Sequence, residues 1–141
     1  MANRLLFTFI CDDVRLEQSG KLLIVGLYNR SINMVAPPPG PQGAQKFALP
    51  QLCIVRRWNV DPTDPGNIVN TSVIGPGPLI ITLRPLTLVA PPDFGYVQDI
   101  SIIPGFVLEP GLVVVKTEWG NMVAEEQFEV NLSHLPTDPQ P

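Results

Sequence analysis

The chain has 141 residues, the length of one ordinary domain, and 45 % of them are hydrophobic, which excludes a wholly disordered protein. The net charge is −4 and the nine Lys and Arg residues are scattered, so no basic stripe could follow a phosphate backbone, and we expect no nucleic-acid binding. Only 16 % of residues are charged, which favours contact with a protein partner or with further copies of the chain, although a neutral Pro-rich loop surface would give the same low charge.

The two cysteines, Cys11 and Cys53, lie inside apolar, strand-like runs. We expect two buried thiols in a reducing compartment, with a disulfide between neighbouring strands as the alternative. The segment 4–10 imitates an export signal, but its apolar core is too short and its last residues are too bulky for a cleavage site. No apolar stretch is long enough to span a membrane, so the expected location is the cytoplasm.

Seventeen prolines and eleven glycines leave few segments long enough for a stable helix. The first predicted strand covers 5–16, and its apolar alternation shifts phase at Asp12-Asp13, which predicts a β-bulge there. After a turn at Ser19-Gly20, a second long strand is predicted from Lys21 to Val35, paired with the first as an antiparallel hairpin.

Residues 36–45 form a Pro- and Gly-rich loop that we interpret as a connector, with docking of a proline-recognising domain as the alternative. A turn at 61–66 and a two-residue hairpin loop at Gly120-Asn121 separate later strands. Those strands are predicted at 49–60, 68–74, 79–84 with a resumption after Pro85, 97–103, 112–119 and 122–133.

About eight strands at near-regular spacing predict an all-β fold, a two-sheet antiparallel β-sandwich of the immunoglobulin-like kind, with a barrel as the alternative. The sandwich domain is predicted to cover 1–133, followed by a Pro-rich tail at 134–141.

The segment Phe9–Glu17, followed by Gly20-Lys21 and Ile24–Tyr28, resembles the start of a family of small bacterial proteins of unknown function. The pattern of that family is Cys-Asp-Asp-Val-Arg, Glu, Gly-Lys, Ile-Gly-Val-Tyr. Leu49–Val55 is similar to its next block, and Glu109-Pro110-Gly111 with Phe128-Glu129-Val130 is similar to its end. The resemblance implies a bacterial or bacteriophage source, a β-sandwich, and a virion location if a phage encodes the chain. It implies no activity or site, and the loop at 36–45 is longer than in most of the family.

One polar cluster could form a site: Asp12, Asp13, Arg15 and Glu17. Adjacent carboxylates could bind a hard cation such as Ca²⁺, but a regular strand points Asp12 and Asp13 to opposite faces. A structural role is the main interpretation, in which an Asp caps the bulge and Arg15 pairs with a carboxylate. Contact with a partner is the second interpretation.

The residues that catalysis usually needs are missing from the sequence. His134 is the only histidine and falls in the predicted tail, so neither a nucleophile–histidine pair nor a zinc site is expected. The glycines lie among prolines, which lack the N–H donors of a phosphate loop. The aromatic residues Tyr28, Trp58, Tyr96 and Trp119 could line a carbohydrate or peptide groove, but at strand positions we expect core.

These observations predict a non-catalytic binding or interaction module that needs no cofactor or metal and acts on a protein partner. The alternative is a structural assembly subunit, either a homo-oligomer or a protein that decorates a bacteriophage capsid. A small hydrolase is the third hypothesis, and it would require titratable side chains that converge in a pocket.

Overall fold

The computed structural model describes residues 2–28, 30–36, 47–90 and 96–134. In these ranges the chain forms ten strands and no helix, which confirms the all-β prediction. The strands are β1 (Arg4–Leu16), β2 (Leu22–Tyr28), β3 (Ser31–Ala36), β4 (Phe47–Asn59), β5 (Ile68–Ile74), β6 (Ile80–Thr82), β7 (Leu86–Thr87), β8 (Tyr96–Leu108), β9 (Gly111–Trp119) and β10 (Met122–His134).

The strands form two sheets, as predicted for a sandwich. Sheet A has the order β2-β1-β4-β8, and sheet B has the order β3-β10-β9-β5-β6, with β7 also on β5. The pairs are antiparallel except β3 and β10, which run parallel, so the prediction of purely antiparallel sheets is wrong for sheet B. The second strand predicted from Lys21 to Val35 is two strands in different sheets. β2 ends at Tyr28 in sheet A and β3 begins at Ser31 in sheet B, so the chain crosses between the sheets inside the predicted run.

Two further predictions fall at the limits of the described residues. Of the loop at 36–45, only Ala36 is described, as the last residue of β3; the remainder lies outside the described residues. His134 is the last residue of β10 rather than part of a tail, and 135–141 lie outside the described residues.

The inner faces of the two sheets enclose the core. One cluster joins β4 and β8 of sheet A to β5, β9 and β10 of sheet B, with Phe106 and Phe128 as its largest members. A second cluster is centred on Trp58 and Trp119, whose rings meet edge to face with centroids 4.9 Å apart. Both tryptophans are buried, so these two aromatic residues are core, as expected, whereas Tyr96 is exposed.

Sheet A has an irregular position at a glycine in each of its two edge strands. Gly26 in β2 and Gly105 in β8 have positive φ angles of 67° and 60°, and neither pairs in register with the residue opposite, Asp12 and Pro50 respectively. On both sides of Asp12 the β1–β2 register is unchanged, so the bulge predicted at Asp12-Asp13 is wrong; a register shift lies instead between Leu5 and Phe7. The phase shift itself is present, because Cys11 and Val14 belong to one cluster.

The turn predicted at 61–66 is present and holds the start of the chain. The Asp61 carboxylate accepts hydrogen bonds from the Thr63 N–H and hydroxyl at 2.9 and 2.7 Å. Asn3 is buried and links this turn to the core: its side chain accepts from the Asp61 N–H, and its carbonyl accepts from the Trp119 indole N–H at 3.0 Å.

Candidate functional site

The acidic cluster predicted from the sequence lies at the end of β1, where its members have separate partners. The Asp13 carboxylate accepts from the Val14 N–H, Arg15 Nε and Gln51 Nε2 at 2.9, 3.1 and 2.9 Å. Asp12 accepts from the Tyr28 hydroxyl. Glu17 contributes backbone bonds that close the β1–β2 turn. The structure therefore brings Asp13 and Arg15 together, as the structural interpretation expected, and gives Asp12 and Glu17 other roles.

The electrostatics of this cluster follow from those bonds. The hydrogen bond from Arg15, with those from Val14 and Gln51, lowers the pKa of Asp13. Burial, together with the bond to Asp12, raises the pKa of Tyr28 well above its usual value. Among the residues that the structure describes, no group of three or more His, Cys, Asp or Glu side chains is arranged to hold a metal ion.

Two carboxylates with lowered pKa values make the stability of the fold depend on pH. Hydrogen bonds from Thr63 lower the pKa of Asp61 from 3.8 to about 2, and the pKa of Asp13 is also lowered. As pH falls below about 4, the two carboxylates take up protons in the unfolded chain before they do so in the folded chain. The stabilisation is therefore complete above the unfolded pKa and is lost as pH falls through the folded pKa. We expect the urea midpoint to fall between pH 5 and pH 2.5, and to fall less in the Asp13→Asn/Asp61→Asn double variant. Equal falls in both proteins would contradict this assignment.

Cys11 and Cys53 lie directly opposite each other on β1 and β4, both fully buried and both free thiols. This arrangement agrees with the expectation of two buried thiols rather than a disulfide. Burial, followed by the proximity of Cys53, raises the pKa of Cys11 to about 11, and burial likewise raises the pKa of Cys53. Thiols that are covered and fully protonated are poor nucleophiles, so their role is packing.

A buried ionic network lies between the two sheets, and sequence analysis did not find it. The Arg56 guanidinium donates to both carboxylate oxygens of Asp99, with the shortest distance 2.9 Å from Nη2. Its Nη1 donates across to the Thr71 and Thr117 hydroxyls of sheet B at 2.5 and 3.3 Å. The Trp58 indole N–H donates to Asp99 at 2.6 Å. Arg56 is in phase with the core residues Leu52 and Ile54, and this phase was the one signal of burial available in the sequence.

A cleft of about 310 Å³ opens beside this network, between β8 and the segment 83–86. Arg56 and Asp99 form part of its wall, but their polar atoms are occupied by each other, by the two threonines and by Trp58. Every buried polar side-chain atom in the described ranges has a hydrogen-bond partner. The network can therefore hold the sheets together, but it leaves no group directed at a ligand.

The outer face of sheet A, which is turned away from sheet B, carries the most unusual surface. Registered pairs define two neighbouring rows on this face, here called the apolar rows. Their seven members are Phe9, Val55 and Ile100 in the first row and Leu27, Cys11, Cys53 and Ile102 in the second. The two central residues of β4, Cys53 and Val55, are fully buried even though they point away from the core between the sheets. The flanking residues are partly open: Ile100 is 43 %, Ile102 56 % and Leu27 53 % exposed.

The outer face of sheet B provides the comparison within the same molecule. Its registered rows contain polar or charged side chains; examples are Glu118 beside Asn70, Lys116 beside Glu125, and Leu112 beside Glu129. Antiparallel sheets with one solvated face normally show this alternation of apolar and polar residues. Both apolar rows of sheet A lack this alternation, so its outer face has the apolar composition of a packed surface rather than of a solvated one.

Comparison with known proteins finds no family model that matches the chain and no curated protein with significant sequence similarity. The resemblance to the small bacterial family therefore stays a prediction. Within residues 2–28, 30–36, 47–90 and 96–134, no helix is long and apolar enough to cross a membrane.

Proposed function

We propose that this protein is a non-catalytic interaction module that binds a protein partner on the outer face of sheet A. The observation that carries this proposal is the pair of apolar rows, whose seven described members include no polar or charged side chain other than the two buried thiols. The flanking members Leu27, Ile100 and Ile102 are exposed, and exposed apolar side chains grouped on one face mark interaction sites in soluble domains. The low fraction of charged residues, 16 %, supports the same function.

The boundaries of the apolar rows give the site an orientation. At one end, Arg57 lies over the ring of Tyr96, 4.9 Å from its centroid, and both residues are exposed. At the other end is the cluster of Asp12, Asp13, Arg15 and Glu17. An apolar centre with polar groups at its rim is the usual arrangement of a protein interface. The four residues of the cluster therefore stay candidates for partner contact, at the rim rather than at the centre.

A structural assembly subunit is the second candidate, either a homo-oligomer or a protein that decorates a phage capsid. The favouring observation is that strands β1, β4 and β8 each have 13 residues and present the apolar rows on a broad face. Broad sheet faces stack about 10 Å apart when two sheets bury them against each other. The same surface would serve both functions, and they differ in whether the partner is foreign.

A photo-crosslinking experiment tests the proposal. A benzophenone amino acid is placed at Ile102 on the outer face of sheet A and, as the control, at Leu112 on the outer face of sheet B; the two residues are 56 % and 49 % exposed. On irradiation in the organism that carries the gene, we expect a protein adduct from position 102 that is much weaker from position 112. Absence of any adduct at 102, or equal adducts at both positions, would contradict the proposal.

A further inference from the structure

We infer that the partner protein binds by adding an extended strand to the open edge of β8, and that this strand has an apolar centre flanked by acidic residues. The inference rests on the proposed function and adds the mode of binding and the chemistry of the partner. β8 is an edge strand of sheet A and carries Ile100 and Ile102, two of the three exposed members of the apolar rows. The backbone of this edge, the side chains beside it and the charges at its rim carry the inference.

β8 is the long open edge of the sandwich. It pairs with β4 on one side and, among the residues that the structure describes, with no strand on the other. The other end strands are much shorter: β2, β3, β6 and β7 have 7, 6, 3 and 2 residues, against 13 in β8. Natural proteins block long edges with lysine, proline or a bulge. From Val97 to Ile103, β8 has no lysine, arginine or proline, its pairing with β4 is regular, and its one charged residue, Asp99, points inward to Arg56. This edge is therefore able to accept another strand.

The position of Pro104 indicates which backbone groups of β8 face the open edge. Pro104 is in register with Gln51 of β4, and a strand tolerates proline where the missing N–H would point away from the neighbouring strand. In an antiparallel pair, successive residues direct their backbone groups alternately to one side and the other. Because the register is unbroken from Pro104 back to the start of β8, the N–H and C=O groups of Gln98, Ile100 and Ile102 also point away from β4. An added strand would form its hydrogen bonds with these groups.

An added strand would meet apolar groups on both of its faces. On the outer face its side chains would lie beside Ile100 and Ile102 and would extend the apolar rows by one strand. On the inner face they would enter the cleft of about 310 Å³ that opens beside the ionic network. Ser101 points into this cleft and is partly exposed, and Leu83 and Leu86 form the facing wall. The centre of the partner strand is therefore apolar on both faces.

The charges at the rim of this edge are positive. Arg57 lies over the ring of Tyr96 at the start of β8, Arg84 lines the cleft on the inner side, and both arginines are exposed. Neither forms an ion pair with a residue in the described part of the chain. The carboxylate of Asp99 is already bonded by Arg56. Opposite charges across an interface favour association, so the partner strand carries Asp or Glu beside its apolar centre.

The same charges oppose a second copy of this chain as the occupant. Two β8 strands paired antiparallel about a two-fold axis near Ile100 would place the clefts of the two copies side by side. The two Arg84 side chains, which line those clefts together with Ile100 and Ser101, would then approach each other. Like charges that face each other at an interface cost free energy. The added strand therefore comes from a different protein.

Titration of the whole chain with two synthetic peptides, followed by nuclear magnetic resonance, tests the chemistry and the mode of binding. Both peptides have the centre Val-Ile-Val-Thr-Val; one is flanked on each side by two Glu and the other by two Lys. We expect the Glu-flanked peptide to bind at least about tenfold more tightly. In the free chain the amide hydrogens of Ile100 and Ile102 should exchange rapidly and that of Ser101 slowly, and the Glu-flanked peptide should slow the first two at least about tenfold. No binding with peptide on the order of millimolar, equal binding of the two peptides, or unchanged exchange at Ile100 and Ile102 would overturn the inference.

A proline variant separates strand addition from contact with the outer face alone. Ile102→Pro removes an N–H that points to the open edge and leaves the hydrogen bonds to β4 in place, so the fold should be kept while the affinity for the Glu-flanked peptide falls at least about tenfold. Ile102→Val keeps the N–H and is the matched control, expected to bind as wild type. Circular dichroism shows whether both variants are folded. Folded Ile102→Pro that binds as tightly as Ile102→Val would contradict strand addition.

Modified peptides test the same point without changing the protein. Two forms of the Glu-flanked peptide are methylated on alternate backbone nitrogens, one form on the odd residues and the other on the even residues. Only one form can keep its N–H groups directed at β8, so we expect one to bind and the other to lose binding, and equal binding of the two would overturn the inference. A dimer in which Ile100 and Ile102 are already protected without peptide would identify a second copy as the occupant and would also overturn it. Failure of these tests with a photo-adduct still formed at position 102 would leave the proposed function intact.

Discussion

Asp99→Ala is expected to lower the free energy of unfolding by about 3–5 kcal/mol, because it leaves the buried Arg56 guanidinium without its counter-charge. The side chains of Arg56 and Asp99 are only 2 % and 9 % exposed, so the guanidinium that remains is largely removed from solvent. The Trp58 indole N–H loses its acceptor in the same variant. Chemical denaturation followed by tryptophan fluorescence measures the change, since both tryptophans lie in the core.

Two further variants separate the cost of an unpaired charge from the value of the pair. In Arg56→Met/Asp99→Leu both charges are absent, and we expect most of the lost stability to return, since well-packed apolar residues often replace a buried ion pair without loss. Glu118→Ala breaks the exposed pair between Lys116 and Glu118, 3.2 Å apart, and should cost less than about 1 kcal/mol. If Asp99→Ala costs no more than Glu118→Ala, the network is not the stabilising element that its geometry indicates.

The network also fixes how β8 pairs with β4. Arg56 and Asp99 are registered partners, and both point between the sheets. A slip of β8 by one residue would turn Asp99 to the outer face and leave Arg56 buried and unpaired, because side chains alternate along a strand. The buried pair therefore selects one register in a strand pair that is otherwise largely apolar.

Sequence patterns predicted the class of fold because alternation and turn residues are local properties. Side chains alternate along a strand, so the adjacent residues Arg56 and Arg57 of β4 point to opposite faces, and in the structure Arg56 is buried and Arg57 is exposed. Sequence patterns could not pair Arg56 with Asp99, because that contact depends on β8 lying beside β4, and the order of strands in a sheet is not a local property. The crossing from sheet A to sheet B between β2 and β3 was missed for the same reason, since the run that contains it is largely apolar.

The candidate surface is a second feature that local sequence patterns could not predict. In the sequence, Cys53 and Val55 alternate with Leu52 and Ile54, and all four have the composition of a doubly covered central strand. Sheet B covers the side of Leu52 and Ile54, whereas Cys53 and Val55 on the other side are buried in a separate cluster against which Phe7 and Phe9 pack. A sequence pattern can show that a strand is apolar on both faces, but it does not show which elements cover each face.

The contact between Gly26 and Asp12 gives the second large effect, because Gly26→Ala combines two costs. A residue with a side chain at φ 67° costs about 1–2 kcal/mol, and a Cβ there would also collide with the Asp12 carboxylate. We therefore expect a total loss of about 2–4 kcal/mol in the free energy of unfolding. Gly105→Ala is the matched control: its φ is 60°, but a Cβ at that position meets nothing within 4 Å, so only the backbone cost of about 1–2 kcal/mol applies.

Asp12 makes the source of the extra cost measurable. In a Gly26→Ala background, Asp12→Ala removes the colliding carboxylate and should recover part of the loss, whereas in wild type the same change only removes the acceptor of the Tyr28 hydroxyl. Denaturation of the four proteins gives the coupling between the two positions directly. Equal losses for Gly26→Ala and Gly105→Ala, with no coupling to Asp12, would show that the collision is relieved without cost. Positive coupling would mean that the phase shift in β1 is held by close contact with a glycine in the neighbouring strand. Val14, Leu22 and Ile24, which lie beyond this contact toward the β1–β2 turn, pack against the cluster of Cys11 and Cys53.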